Sequence, residues 1–111
     1  MAELAEEIEW DTSAAVPDGG LYRGREQVLG LWREIPDRWD DFRIVPERWV
    51  KGEGVVLMLG TLIGRGTESG VPVEGTWDQV WNLAGDEPVR CENHSDRAAA
   101  WRSSGLPPES E

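Results

Sequence analysis

Residues 64–90 read GRGTESGVPVEGTWDQVWNLAGDEPVR, and the way this stretch divides decides the fold. TESGVP, at 67–72, has the small and polar residues of a hairpin loop; VEGTWDQVWNL, at 73–83, alternates as a strand does; AGDEP, at 84–88, is a second turn. Asp78 stands in that strand among residues suited to burial, although a buried carboxylate is costly unless something compensates it. Alternation puts Asp78 on one face with Thr76 and Val80, the face expected to turn toward a cavity. Trp77, Gln79 and Trp81 then share the other face, whose aromatic area is suited to meeting a second subunit.

Upstream, VVLMLGTLIGRG at 55–66 is the most apolar strand, and KGEG at 51–54 is the turn that leads into it. In FRIVPERWV, at 42–50, Phe42 and Ile44 alternate against Arg43, and Pro46 calls for an edge strand or a bulge because it has no N–H to donate. DRWDDF at 37–42 reads as a polar connection. Before it, Val28, Leu31, Trp32 and Ile35 fall at helical spacing from Gly24 onward, with Glu26 in the first turn and Pro36 ending the run. IEW, at 8–10, is a short extended piece; acidic residues capable of a helical turn or two precede it, and the turn-rich DTSAAVPDGG follows.

Downstream, VRCENHS at 89–95 is the last strand and DRAAAWRSS at 96–104 a helix, with Ser95 or Asp96 at its N-cap and Gly105 just past its end. The expectation is one α+β domain over 1–106, with helices at both ends of a curved antiparallel meander, and a disordered tail at 107–111. The glycines of LGTLIGRG are bends in a curved sheet; no helix follows them to make a phosphate cradle.

The 111 residues leave room for one domain, which buries roughly two-thirds of its unfolded surface. Twenty-two acidic against eleven basic residues give a net charge of −11, which repels nucleic acid and anionic membranes alike. No apolar run is long enough to span a membrane and the opening residues lack a signal-peptide pattern, so a cytoplasmic setting is expected. The lone Cys91 fits a reducing compartment and reads as a packed thiol. The seven tryptophans suit a core, an interface or an aromatic pocket.

Four stretches, EIEWD at 7–11, YRGREQVLGLWRE at 22–34, residues 64–90 as quoted, and HSDRAAAWRSSGL at 94–106, resemble the NTF2-like superfamily. Within it they are similar to the bacterial SnoaL-like group that includes polyketide cyclases and ketosteroid isomerases. The resemblance implies a cystatin-like cone, a curved antiparallel sheet wrapped on helices around a cavity for a hydrophobic small molecule, and homodimers formed through the sheet. It implies chemistry without a cofactor: isomerisation, cyclisation or hydrolysis by acid–base catalysis. The alternative is a non-catalytic module for ligand binding, dimerisation or protein interaction. Family members usually open with two helices that this sequence does not match. A partner chain would then cover that face, or the cavity would be shallower, or the sequence would be a shortened piece.

In ketosteroid isomerases the general base follows the first strand in a context similar to that of Asp11. A protonated aspartic acid lies on a later strand in a context similar to that of Asp78, where an apolar pocket lets it donate to an oxyanion. The resemblance casts Asp11 as base, Asp78 as donor and His94 as auxiliary proton carrier, with Trp10, Trp32, Thr76, Val80 and Glu92 contacting the ligand. The family's tyrosine donor lies in the unmatched first helix, and Tyr22 is not an evident substitute. On the residues alone, Asp11 could instead brace the turn after its strand, Asp78 could pair with an arginine, and His94 could be a hydrogen-bonded rim residue. One histidine in ENHSD is thin support for a metal, and none is expected. Arg23 and Arg25 bracket Gly24 as a helix entry, with Glu26 favourable at the helix N-terminus.

Overall fold

The computed structural model describes residues 6–16 and 19–107; the opening of the expected N-terminal turn and almost all of the expected tail lie outside the described residues. The chain order is β1 (Glu9–Asp11), β2 (Leu21–Arg23), α1 (Arg25–Arg38), β3 (Trp39–Gly52), β4 (Val55–Gly66), β5 (Pro72–Thr76), β6 (Asp78–Ala84), β7 (Glu87–His94) and α2 (Arg97–Ser104). The strands form one sheet in the order β2-β1-β7-β6-β4-β3, with β5 beside β4. This is the α+β arrangement expected of a curved sheet carrying helices. The sheet is not wholly antiparallel, however: β1 lies parallel to β7, pairing Trp10 with Cys91 and Asp11 with Glu92.

The strand expected at 73–83 is two strands meeting at Trp77. Both halves keep one register against β4, with Thr76 opposite Thr61 and Gln79 opposite Met58. At the break the Trp77 N–H still reaches the Gly60 carbonyl, at 3.0 Å. The Gly60 N–H instead donates to Asp78 Oδ1, at 3.1 Å, so a side chain replaces one rung of the ladder. Gly60 is required there, because a Cβ would stand 2.7 Å from the Val45 carbonyl oxygen and 2.8 Å from Met58 Sδ.

Helix α1 does not stop at Pro36. It runs through the proline to Arg38 and closes on the Trp39 N–H, which donates to the Ile35 carbonyl. A proline in the last turn removes one helical hydrogen bond, a loss the terminus absorbs. DRWDDF is therefore helix end and strand start rather than a connection; Asp41, at φ 56°, and a register shift between Asp40 and Arg43 take up the change of direction. Pro46 lies on edge strand β3 beside a second register shift, as its missing donor requires. Helix α2 is capped as the sequence suggests: Asp96 accepts from the Ala98 N–H at 3.0 Å, and Gly105 is left-handed at φ 72°.

The two helices cover opposite faces of the sheet. Val28 of α1 packs with Ile8, Trp10 and Cys91, flanked by Tyr22, Leu31, Trp32 and Trp81. Ala100 of α2 packs with Val55, Leu57, Leu59 and Val80, flanked by Trp101 and Leu106. Val80 and Trp81 are neighbours on β6, so alternation divides the core in two.

Candidate functional site

On the α1 side, one cavity of about 610 Å³ opens between the helix, the sheet and the loop after β1. Strand β1 brings Trp10; the loop brings Thr12, Val16 and Gly19; β2 brings Tyr22; α1 brings Leu31, Trp32, Glu34 and Ile35; β3 brings Trp39, Phe42 and Ile44; and Trp77 comes from the β5–β6 break. The helical stripe read from the sequence is thus shared between core and cavity: Val28 is fully buried, while Leu31, Trp32 and Ile35 reach the space.

The rings are not parallel. Trp10 and Trp32 meet edge to face, with centroids 5.1 Å apart and planes at 79°, and Trp10 meets Trp81 in the same way at 5.6 Å and 75°. Trp39 and Phe42 are tilted at 54° with centroids 6.0 Å apart. A buried chain of amides holds two of the indoles from beneath. Asn93 Oδ1 accepts from Trp77 Nε1 and from Gln79 Nε2, each at 3.0 Å, and Gln79 Oε1 accepts from Trp81 Nε1 at 3.2 Å. Asn93 Nδ2 donates to the Asp11 carbonyl at 3.0 Å. These bonds satisfy amides that would otherwise be costly to bury.

Of the residues singled out in the sequence, Trp10 and Trp32 line this cavity; Asp11, Thr76, Asp78, Val80, Glu92 and His94 do not. The two faces of β6 carry the opposite tasks from those expected. Trp77 lines the cavity and Trp81 packs behind Trp10, while Val80 lies under α2. Thr76 is exposed on β5.

Asp78 is fully buried and held by three donors. Arg97 Nε reaches Oδ2 at 3.1 Å, Arg97 Nη2 reaches Oδ1 at 3.0 Å, and the Gly60 N–H shares Oδ1. Such a charge-assisted fork, with the Gly60 contact, commits both carboxylate oxygens to partners away from the cavity. The same hydrogen bonds hold the Arg97 guanidinium above its ordinary pKa, despite the opposing effect of burial.

Asp11 braces the turn that follows its strand. Its Oδ1 accepts from the Ser13 N–H at 2.8 Å and from the Ser13 hydroxyl at 2.6 Å, and Arg90 Nη2 donates to its Oδ2 at 3.3 Å. Burial works to raise its pKa, but the Ser13 hydrogen bonds and the charges of Arg90 and His94 prevail and hold it below the usual carboxylate value. Arg90 is the hub of this edge, bonding Glu9 at 2.6 Å and Glu92 at 3.1 Å as well. Glu92 is likewise held down: burial opposes ionisation, and the Ser103 hydroxyl, Arg90 and His94 outweigh it. His94 Nε2 lies 3.4 Å from Glu92 Oε1, and the buried Nδ1 has no hydrogen-bond partner. Burial drives the Cys91 thiol well above its ordinary pKa, as suits a packed residue.

Asp11, Glu92 and His94 therefore converge with each other around Arg90 and the end of α2, and Asp78 with Arg97 nearby, rather than on the cavity. No group of three or more candidate ligands able to hold a metal is found among the described residues. The sequence reasoning missed Tyr22, Glu34, Trp39, Phe42 and Trp77 as lining residues, and Asn93 as the anchor of Trp77. The available signal was the pairing of the two amides: Gln79 and Asn93 are directly opposite in register.

Neither a protein-family model nor a curated protein sequence matches the chain. Solved structures do. An NTF2-like protein from Burkholderia thailandensis superposes with a TM-score of 0.78 at 23% identity, over 96% of this chain and 82% of that one. A protein from Catenulispora acidiphila with a ketosteroid isomerase-like fold, solved in complex with trimethylamine, gives 0.75 at 16% identity over 94% and 78%. TerC, co-crystallised with polyporic acid, gives 0.69 at 16% identity over 93% and 81%. With the order of its elements, the sheet topology and these superpositions in agreement, the chain has the NTF2-like, ketosteroid isomerase-like fold.

Proposed function

We propose that this domain binds a hydrophobic small molecule in the aromatic cavity between α1 and the sheet. The observation that carries this is the cavity itself: about 610 Å³, walled largely by apolar and aromatic side chains with few polar groups, the make-up of a small-molecule site. Two structural neighbours solved with small organic molecules are in keeping with it. Acid–base turnover through Asp11, Asp78 and His94 has less support, because none of the three lines the space a substrate would occupy, and a general base must first be within reach of its proton. The binding module is the favoured reading. The lone buried thiol fits a cytoplasmic setting.

The test is a titration with N-phenyl-1-naphthylamine, a neutral apolar fluorophore. Saturable one-to-one binding with energy transfer from tryptophan, weakened about tenfold or more in Trp32→Ala by loss of buried contact area, is the expected result. Absence of saturable binding in the folded wild-type protein would overturn the proposal.

A second reading, self-association, is favoured by one observation: Trp49, on edge strand β3, is 57% exposed, and Val45 of the same strand is exposed too. Exposed apolar side chains on an edge strand are suited to an interface between copies.

A further inference from the structure

We infer that the ligand of this cavity is a cation, an organic molecule carrying a tertiary or quaternary alkylammonium group; the inference rests on the proposed binding role. Six of the thirteen lining residues are aromatic, four of them tryptophans, and indole is the ring that attracts a cation most strongly. The non-parallel settings of Trp10 with Trp32, at 79°, and of Trp39 with Phe42, at 54°, orient ring faces in several directions. An ammonium whose alkyl groups radiate from nitrogen is matched by such a cage, whereas a flat aromatic ligand would favour parallel walls.

The polar groups point the same way. The Trp77 indole N–H is already committed to Asn93, at 3.0 Å. The Thr12 hydroxyl is tied to Gly20, accepting from its N–H at 3.1 Å and donating to its carbonyl at 3.3 Å. Two donors that an acceptor-rich ligand would use are therefore occupied. Among the described lining residues Glu34 is the one charged side chain and none is basic, so an anionic group would enter without a counter-charge. The net charge of −11 gives the molecule a field that draws cations in. An unalkylated ammonium would need several acceptors for its N–H donors; an alkylated one needs mainly apolar and π surface.

Choline and its uncharged carbon isostere, 3,3-dimethylbutan-1-ol, separate charge from shape when titrated by tryptophan fluorescence, with N-phenyl-1-naphthylamine as an independent probe of the cavity. Choline is expected to bind about tenfold or more tighter than the isostere, the scale of a desolvated cation–π contact, and Trp32→Leu to abolish that preference while far-UV circular dichroism stays unchanged. Should Trp32→Leu fail to fold, Trp39→Leu, at the other ring pair, carries the same comparison. Equal affinities, or no choline binding while the naphthylamine binds, would overturn the cation inference and leave the apolar cavity standing. A preference that persists in the folded variant would overturn its placement at these rings. Failure of the naphthylamine itself would remove the binding role on which the inference rests.

Discussion

Asp78 shows how one side chain can be legible in place and illegible in purpose. Alternation along β6 separates it from Trp77 and Trp81, but which face meets the cavity depends on where α1 and α2 dock, and that is a long-range matter. Arg97 lies 19 positions away, and its fork on Asp78 carries the local electrostatics. Arg97→Ala leaves a buried carboxylate with only the Gly60 N–H for company. Removing one partner of a buried pair costs about 3–5 kcal/mol, and the 44% exposure of the Arg97 side chain sets the expectation at or below the lower end of that range. Urea unfolding measures it. Asp78→Asn is expected to cost less, since the amide can still accept from Gly60, and to leave naphthylamine affinity unchanged; a binding loss without a stability loss would return Asp78 to the ligand site. The tryptophans were legible as aromatic mass and not as a shared wall, because Trp10, Trp32, Trp39 and Trp77 come from separate elements that a linear pattern does not bring together.

Among the elements, those with strong local signals were readable: the α2 caps, the turns at Gly54 and Gly85 with φ of 71° and 65°, and the apolar run of β4. The parallel β1–β7 contact was not, because three residues of β1 carry no mark of the strand they will join. That contact is short, and Arg90 straddles it, holding Glu9 and Asp11 of β1 together with Glu92 of β7. Asp11 and Glu92 have folded pKa values below their ordinary values of 3.8 and 4.5. Groups depressed in this way contribute stability that is fully present above the unfolded values and is lost as pH falls through the lower, folded ones. The ionic edge therefore weakens below about pH 4 and not on the alkaline side. Because Trp10 and Tyr22 ride on β1 and β2, acid is expected to shift tryptophan emission and release the naphthylamine probe before global unfolding. Arg90→Met is expected to flatten the stability profile between about pH 5 and pH 3; a profile as steep as that of the wild type would show that other carboxylates control it.

Across the whole molecule, the net charge of −11 opposes every gathering of copies, while the exposed Trp49 and Val45 of edge strand β3 favour one. The sequence made both tendencies visible in outline, the charge by counting and the edge strand through Pro46. It assigned the interface to Trp77 and Trp81, which the fold turns inward to the cavity side. A contact driven by apolar area between two strongly acidic surfaces has a definite salt dependence. Screening shortens the reach of the repulsion from about 10 Å at 0.1 M to about 3 Å at 1 M ionic strength, while the apolar contribution remains. Light scattering is thus expected to show a dimer that tightens as sodium chloride is raised, and a monomer for Trp49→Glu at every salt concentration. Cation binding in the cavity has the reverse dependence, because screening removes the attraction that the same charge supplies. A dimer that loosened with salt would mean ion pairs rather than Trp49 hold it, and a wild-type protein that stayed monomeric throughout would leave the cavity as the domain's working surface.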